Sequence, residues 1–356
     1  MRESIKSLYG LRALSIIMVV FSHIRYQSFM HISTTFPYGI FSDGAMGVNF
    51  FLIISGFLIT KLLIDEENNN QYVNIKFFYI RRVLRIFPAY YFLLFCYFIF
   101  QAFNILHINS SSWMSSIFYY KYFELTDWQT SHLWSLSVEE HFYLFWPLIF
   151  KYAKKQRSIF CIGTIFIVII HKIFVYVFNY TDAHFVSAGE TLIMRLDALM
   201  IGCLIALNWP VIINFIKTHK FPKFTPIFIL ILISFLTSDI PQQLATAYHL
   251  KLGKLFVPLG IGNSYGLVVN LLFGLLMIYS ITSVDLWVNF LNNKVLVYIG
   301  KLSYSIYLWQ QFFLSKFQIF YDSFPLNIIG ILVMAMFSYY LIEKPVLKFK
   351  DRYNYY

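Results

Sequence analysis

Leu11-Arg-Ala-Leu-Ser-Ile-Ile-Met-Val-Val-Phe-Ser-His23 holds an arginine and a histidine eleven residues apart in a stretch otherwise apolar enough to enter a bilayer. Burying ionisable groups in such a segment is costly, and those that persist there are functional candidates. In a helix the spacing puts the two side chains about 20° apart around the axis and roughly 16 Å apart along it. One face thus offers a fixed cation, Arg12, and deeper along it a base, His23.

The rest of the chain agrees with a first membrane span at this point. Of 356 residues, 59% are hydrophobic, 21% aromatic and only 13% charged, which is too little polar surface to coat a soluble globule of this size. The composition predicts an all-α, polytopic integral membrane protein, read as one membrane-embedded domain over 1–356. Apolar runs near the spanning length of ~20 residues fall at 8–29, 45–64, 83–106, 136–152, 159–177, 191–209, 225–237, 265–284, 295–314 and 326–342, giving about ten transmembrane helices.

Charge sets the expected orientation. With the N-terminus inside, 21 of the 28 lysines and arginines fall at inner ends, among them Lys220 and Arg352. Arg25, Lys121, Lys172, Arg195, Lys251, Lys254 and Lys316 fall at outer ends. The positive-inside bias therefore predicts a cytoplasmic membrane protein with both termini in the cytoplasm. The net charge of +11 is what a basic inner face meeting an anionic lipid bilayer requires, and it calls for no nucleic acid partner. Cys96, Cys161 and Cys203 lie in apolar spans without disulfide or zinc spacing and read as small buried hydrophobes; no metal site is expected. Arg12 interrupts the first apolar segment and no small-residue cleavage site follows His23, so the segment reads as a retained span rather than a signal peptide.

Two further clusters carry chemistry. The first, Phe77-Phe-Tyr-Ile-Arg81-Arg82-Val-Leu-Arg85-Ile-Phe-Pro88, stands at the cytoplasmic entrance to the third span. Arg81 and Arg85 are four apart and Arg82 and Arg85 three apart, so their guanidinium groups can converge. They suit bidentate binding of a phosphorylated cytosolic donor, and equally they suit anchoring to lipid headgroups. The second, His132-Leu-Trp-Ser-Leu-Ser-Val-Glu139-Glu140-His-Phe-Tyr143, enters the fourth span from outside. Adjacent carboxylates there must be paired or hydrated. Arg195 is a possible partner. They either hold helices together as ion pairs, or orient His23 or raise its basicity, or bind acceptor hydroxyl groups. Glu139 and Tyr143 share a face, and Glu140 points about 100° away. Gly44, Gly47, Ser55 and Gly56 suit close helix packing. Arg195 and Asp197 are two apart, face different ways and call for separate partner helices, with Asp197 a secondary site candidate.

At these residues the chain resembles the membrane acyltransferase-3 family. The resemblance rests on five segments: Gly10-Leu-Arg12-Ala to His23; Gly44-Ala-Met-Gly47-Val-Asn49 through Ser55-Gly56 to Thr60; Arg81 to Pro88; Trp134-Ser-Leu-Ser-Val-Glu139-Glu140-His-Phe-Tyr143; and Leu302-Ser-Tyr304-Ser-Ile-Tyr307-Leu-Trp309. Leu341-Ile-Glu343-Lys344-Pro345 fits the family's C-terminal end. The resemblance implies a bacterial inner-membrane enzyme that moves an acyl group, usually acetyl, from cytoplasmic acyl-coenzyme A to a hydroxyl of an envelope glycan or small-molecule acceptor. It implies no permanently bound cofactor. It carries the family's first-span arginine and histidine over to Arg12 and His23, its basic motif to Arg81, Arg82 and Arg85 and its acidic motif to Glu139 and Glu140, which makes His23, Glu139 and Glu140 the catalytic candidates and the four arginines the donor-binding ones; Asn49, Tyr143, Arg195, Asp197 and Tyr307 are secondary candidates. It further implies the stand-alone class, without the periplasmic esterase-like domain of some members. Two positions depart from the family: Asn49, where an acid is frequent, and Gln310, where a histidine is frequent and an amide can only hydrogen-bond.

An alcohol attacks a thioester only if a base takes its proton, and histidine titrates near working pH. The expected mechanism therefore has phosphates held by Arg12 and the Arg81 to Arg85 cluster, with a pantetheine arm reaching His23. Whether His23 acts as general base or is itself transiently acylated stays open. The rival class is a multi-pass transporter or flippase for a polysaccharide precursor, which also buries a few charges but calls for inverted repeats that this chain does not display.

Overall fold

In this computed structural model the described residues are 2–24, 43–178, 192–219, 221–238, 240–241, 266–314 and 323–350. Arg25, Lys220, Lys251, Lys254, Lys316 and Arg352, used above for orientation, lie outside them. In chain order the helices are α1 (Arg2–Ile24), α2 (Gly44–Asn70), α3 (Ile75–Ala102), α4 (Ser110–Ile117), α5 (Trp128–Ser131), α6 (Trp134–Tyr152), α7 (Arg157–Phe178) and α8 (Leu192–Leu207). They continue as α9 (Trp209–Thr218), α10 (Thr225–Thr237), α11 (Leu267–Thr282), α12 (Leu286–Leu291), α13 (Lys294–Phe313), α14 (Leu326–Ser338) and α15 (Lys344–Lys350). A 3-10 turn spans Lys121–Phe123, and a π-helical turn, Tyr339–Glu343, joins α14 to α15. No strand occurs among the described residues.

The described residues of the ten predicted apolar runs lie mainly on helices, and the protein is an all-α polytopic membrane protein. Among the described residues five helices are long and apolar enough to cross a bilayer, or six if α8 and α9 form one bent span. The helix α6 is long enough but carries Glu139, Glu140 and Lys151 within its 19 residues, and α10 and α11 are shorter apolar helices. Large apolar side chains point outward on α7, with Ile159, Phe166 and Ile167 each more than 60% exposed. A stripe of that kind needs hydrocarbon rather than water.

Local sequence explains the boundaries. Asn74 caps α3, its side chain accepting from the Phe77 backbone N–H at 3.1 Å, and starts that helix eight residues before the predicted span. The helix in the run 191–209 ends at Leu207, where Asn208 becomes the cap of a new helix and Pro210, in the first turn of that helix, has no N–H to continue the old one; the axis turns by 70° into α9.

The helices gather into two compact units whose segments alternate along the chain. One contains α1, α2 and α7 to α12; the other contains α3 to α6 and α13 from Leu302 through α15. In the first unit α2 and α8 approach to backbone contact: a Cβ on Gly56 would stand 2.1 Å from the Leu199 carbonyl, and one on Gly202 2.1 Å from that of Ile53. Only hydrogen fits at both, which is the close packing expected of small residues in membranes. Gly44 likewise admits Ser22, and Gly47 the Ser15 carbonyl, so α2 runs antiparallel to α1. Cys161 on α7 meets Cys203 on α8, a contact that their 42-residue separation in sequence does not reveal. In the second unit α3 is the central helix. Tyr90 donates to the Ser116 carbonyl at 2.7 Å and Tyr97 to that of Gln129 at 3.2 Å, fixing the segments between α3 and α6 against it.

Candidate functional site

Arg12 and His23 both stand half-buried on the uninterrupted helix α1, with His23 in its last turn. The guanidinium of Arg12 lies over the ring of Phe51 on α2, 5.7 Å from its centroid. Aromatic faces attract cations, so Phe51 offsets part of the cost of holding this charge in an apolar helix. At the other end Ser22, the neighbour of His23, is seated against Gly44.

Behind this pair the first unit holds polar groups that are buried almost completely. Arg195 donates from Nη1 to Asn49 Oδ1 at 2.5 Å, and Asn49 Nδ2 donates to Asn270 Oδ1 at 3.1 Å. Lys172 on α7 pairs with Asp197 at 2.6 Å, each about 1% exposed. Arg195 and Asp197 thus engage different helices, α2 and α7, as their two-residue spacing predicts. Lys172, read from the sequence as an outer-end cation, is fully buried as the counterion of Asp197. Neither Lys172 nor Asn270 is singled out by any motif. A charged residue within an apolar run was the available signal for Lys172, and no sequence signal pointed to Asn270.

The second unit gathers the basic and acidic clusters. The Arg82 guanidinium lies 4.7 Å from the centroid of the Tyr143 ring, and the Tyr143 hydroxyl donates to Glu139 Oε2 at 2.8 Å. Arg82 is also within electrostatic reach of Arg85, Glu139 and Glu140. The sequence places the arginines at one mouth of a span and the acids at the other. Because α3 begins at Ile75, Arg82 lies about two turns inside its helix, level with the middle of α6, and the two clusters meet there. Arg81, Arg85 and Glu140 are half-buried beside them. Tyr304, whose hydroxyl donates to the Ile86 carbonyl at 2.9 Å, is within reach of Glu139, Glu140 and Glu343. Ser305 hydrogen-bonds Glu343 in the π-helical turn. Tyr307 ties α13 to the start of α6, its hydroxyl donating to the His132 carbonyl at 2.6 Å and lying 2.6 Å from Ser135 Oγ.

Between α4 and α5, outside the membrane-spanning helices, Lys121 is fully buried. Its Nζ reaches Glu124 at 2.7 Å and Ser112 Oγ at 2.9 Å. Burial pushes the Glu124 carboxyl upward, but hydrogen bonds from Lys121, Ser112 and Thr126 outweigh it and hold it at about 2.

The family model for the acyltransferase domain matches residues 5–343. O-acetyltransferase OatA of Staphylococcus aureus strain NCTC 8325 is 27% identical over 95% of this chain and 56% of its own length, and OatA of strain COL gives the same figures. A further strain COL protein, provisionally named an O-acetyltransferase, is 28% identical over 97% of this chain and 57% of its own. The chain spans little more than half the length of these curated relatives. No solved structure matches it. The match over nearly the whole chain means that this protein belongs to the acyltransferase domain family.

Proposed function

We propose that this protein is a membrane O-acyltransferase that carries an acetyl group from cytoplasmic acetyl-coenzyme A to a hydroxyl of a cell-envelope or secreted glycan, in the cytoplasmic membrane with both termini inside. One observation carries the reading: a single unbroken helix presents a half-buried arginine and, three turns on, a half-buried histidine, in a chain that belongs to an acyltransferase family. A phosphate-bearing thioester needs a cation for its head and a base near its reacting carbon, and the roughly 16 Å offset along the helix suits an extended pantetheine arm.

In this reading Arg12, Arg81, Arg82 and Arg85 bind donor phosphates, and Asn49, Arg195 and Asp197 shape the surroundings of the arm. His23 takes the proton of the attacking hydroxyl. The hydroxyl oxygen adds to the thioester carbon, the C–S bond breaks, and the coenzyme A sulfur leaves with the proton that His23 accepted. Glu139 serves through Tyr143, which orients Arg82, and Glu140 supplies a second carboxylate for acceptor hydroxyl groups. Names of relatives support O-acetyl transfer as the reaction.

The test supplies labelled acetyl-coenzyme A to membranes holding the wild type or His23→Ala and follows label into glycan. Label should enter only with the wild type. Equal labelling from both would remove His23 from the mechanism, and movement of an unmodified precursor without label would favour a flippase.

A further inference from the structure

In the first unit a charge dictates the direction of a buried hydrogen-bond chain. Arg195 carries only donors, so Asn49 must turn its side-chain oxygen towards it, at 2.5 Å. The Asn49 amide nitrogen then faces Asn270 and takes its oxygen, at 3.1 Å. The Asn270 amide group is left turned outward as a donor. Asn270 is completely buried, and its Nδ2 has no hydrogen-bond partner among the described residues. Folded proteins rarely leave such a donor unmet, and the group that meets this one must be an acceptor.

Its position narrows the choice. Asn49 stands on α2 five residues after Gly44, which packs against Ser22 beside His23, and two residues before Phe51, which lies under Arg12. Those intervals are about 7.5 Å and about 3 Å of helix rise, so the chain ends at a level between the cation and the base. Phe273, one turn beyond Asn270, stacks on Phe50 with ring centroids 4.6 Å apart and holds Asn270 at that level. Between the phosphates of an acyl-coenzyme A and its reacting carbon lie amide carbonyls and finally the thioester carbonyl, all of which accept hydrogen bonds.

We infer that Asn270 Nδ2 donates a hydrogen bond to a carbonyl oxygen of the acyl-pantetheine arm, with Asn49 and Arg195 as positioning residues that fix the polarity of its amide. The inference rests on the acyl-coenzyme A reading above. As the acceptor oxygen adds to the thioester carbon, the carbonyl electron pair moves onto oxygen, where a preset donor is most effective. It returns when the C–S bond breaks and the sulfur leaves with the proton from His23. Asn49 is thereby more than a neutral stand-in for the acid frequent there in the family. A carboxylate at 49 would offer acceptors to both neighbours, turn the Asn270 amide group inward and present its oxygen instead.

The experiment compares purified wild type, Asn270→Leu and Asn49→Asp with acetyl-coenzyme A as the probe and a glycan hydroxyl acceptor supplied, following free thiol, with the melting temperature of each in detergent. The second variant removes no atom of Asn270 and gives Arg195 a stronger partner, so a purely structural role for the chain predicts undiminished activity. The inference predicts that both variants lose roughly 100-fold in kcat/KM for acetyl-coenzyme A. A fall in kcat identifies the thioester carbonyl, and a rise in KM an amide carbonyl of the arm. If Asn270→Leu does not fold, Asn49→Asp decides alone. A folded variant within about twofold of an active wild type overturns the inference and leaves the acyltransferase reading standing. A wild type inert towards acetyl-coenzyme A overturns both.

Discussion

Lys172 and Asp197 show what a buried charge requires of its neighbours. At 2.6 Å and about 1% exposure, each removes the other's reason to be in water, and deleting one partner leaves an uncompensated charge in an apolar bundle. Lys172→Met should therefore lower stability by about 3 kcal/mol, and Lys172→Met with Asp197→Leu should recover most of it, read as melting temperature in detergent. Equal loss in the single and double variants would contradict the pairing. Glu124 makes a pH prediction of definite sign. Its carboxyl sits at about 2 in the fold against 4.5 as a free side chain, so the stabilisation it supplies is complete above 4.5 and is lost as pH falls towards 2. Melting temperatures across that window should fall more steeply for the wild type than for Glu124→Gln, and parallel curves would refute the assignment. Arg12, His23 and Asp197 were legible in the sequence because an ionisable group in an apolar run stands out by itself. Asn270 was not. Its meaning comes from Asn49, 221 residues away, and from an arginine that orients both.

At the scale of elements, the described parts of the ten apolar runs lie mainly on helices because a chain in hydrocarbon has to satisfy its backbone groups within each segment. The boundaries moved where a side chain or a proline intervened, at Asn74 and Pro210. Pairing between helices was partly legible, in the glycines at 44, 47 and 56. Their partners were not, since Gly202 and Leu199 carry no mark of facing α2. Gly56→Ala and Gly202→Ala should each push α2 and α8 apart, because the new methyl would meet a backbone carbonyl at 2.1 Å. Overpacking of this kind costs about 1–3 kcal/mol. A melting temperature unchanged in either variant would argue against the close approach. The meeting of Arg82 with Tyr143 was hidden for a similar reason: helix starts set depth, and the start of α3 is fixed by its cap.

For the whole molecule, the charge bias makes a topology that labelling can check. In a background without native cysteines, Lys155→Cys, between α6 and α7, should react with a membrane-impermeant reagent only from the cytoplasmic side, and Ser111→Cys, in α4, only from the opposite side. Both positions are exposed. Reaction of both from one side would overturn the proposed orientation. The central claim, that a thioester is consumed at His23, is tested most directly by release of free coenzyme A thiol from acetyl-coenzyme A by purified protein supplied with a hydroxyl acceptor. The account predicts a rate for His23→Gln at least roughly 100-fold below that of the wild type, with the melting temperature unchanged; equal rates from the two proteins would contradict it.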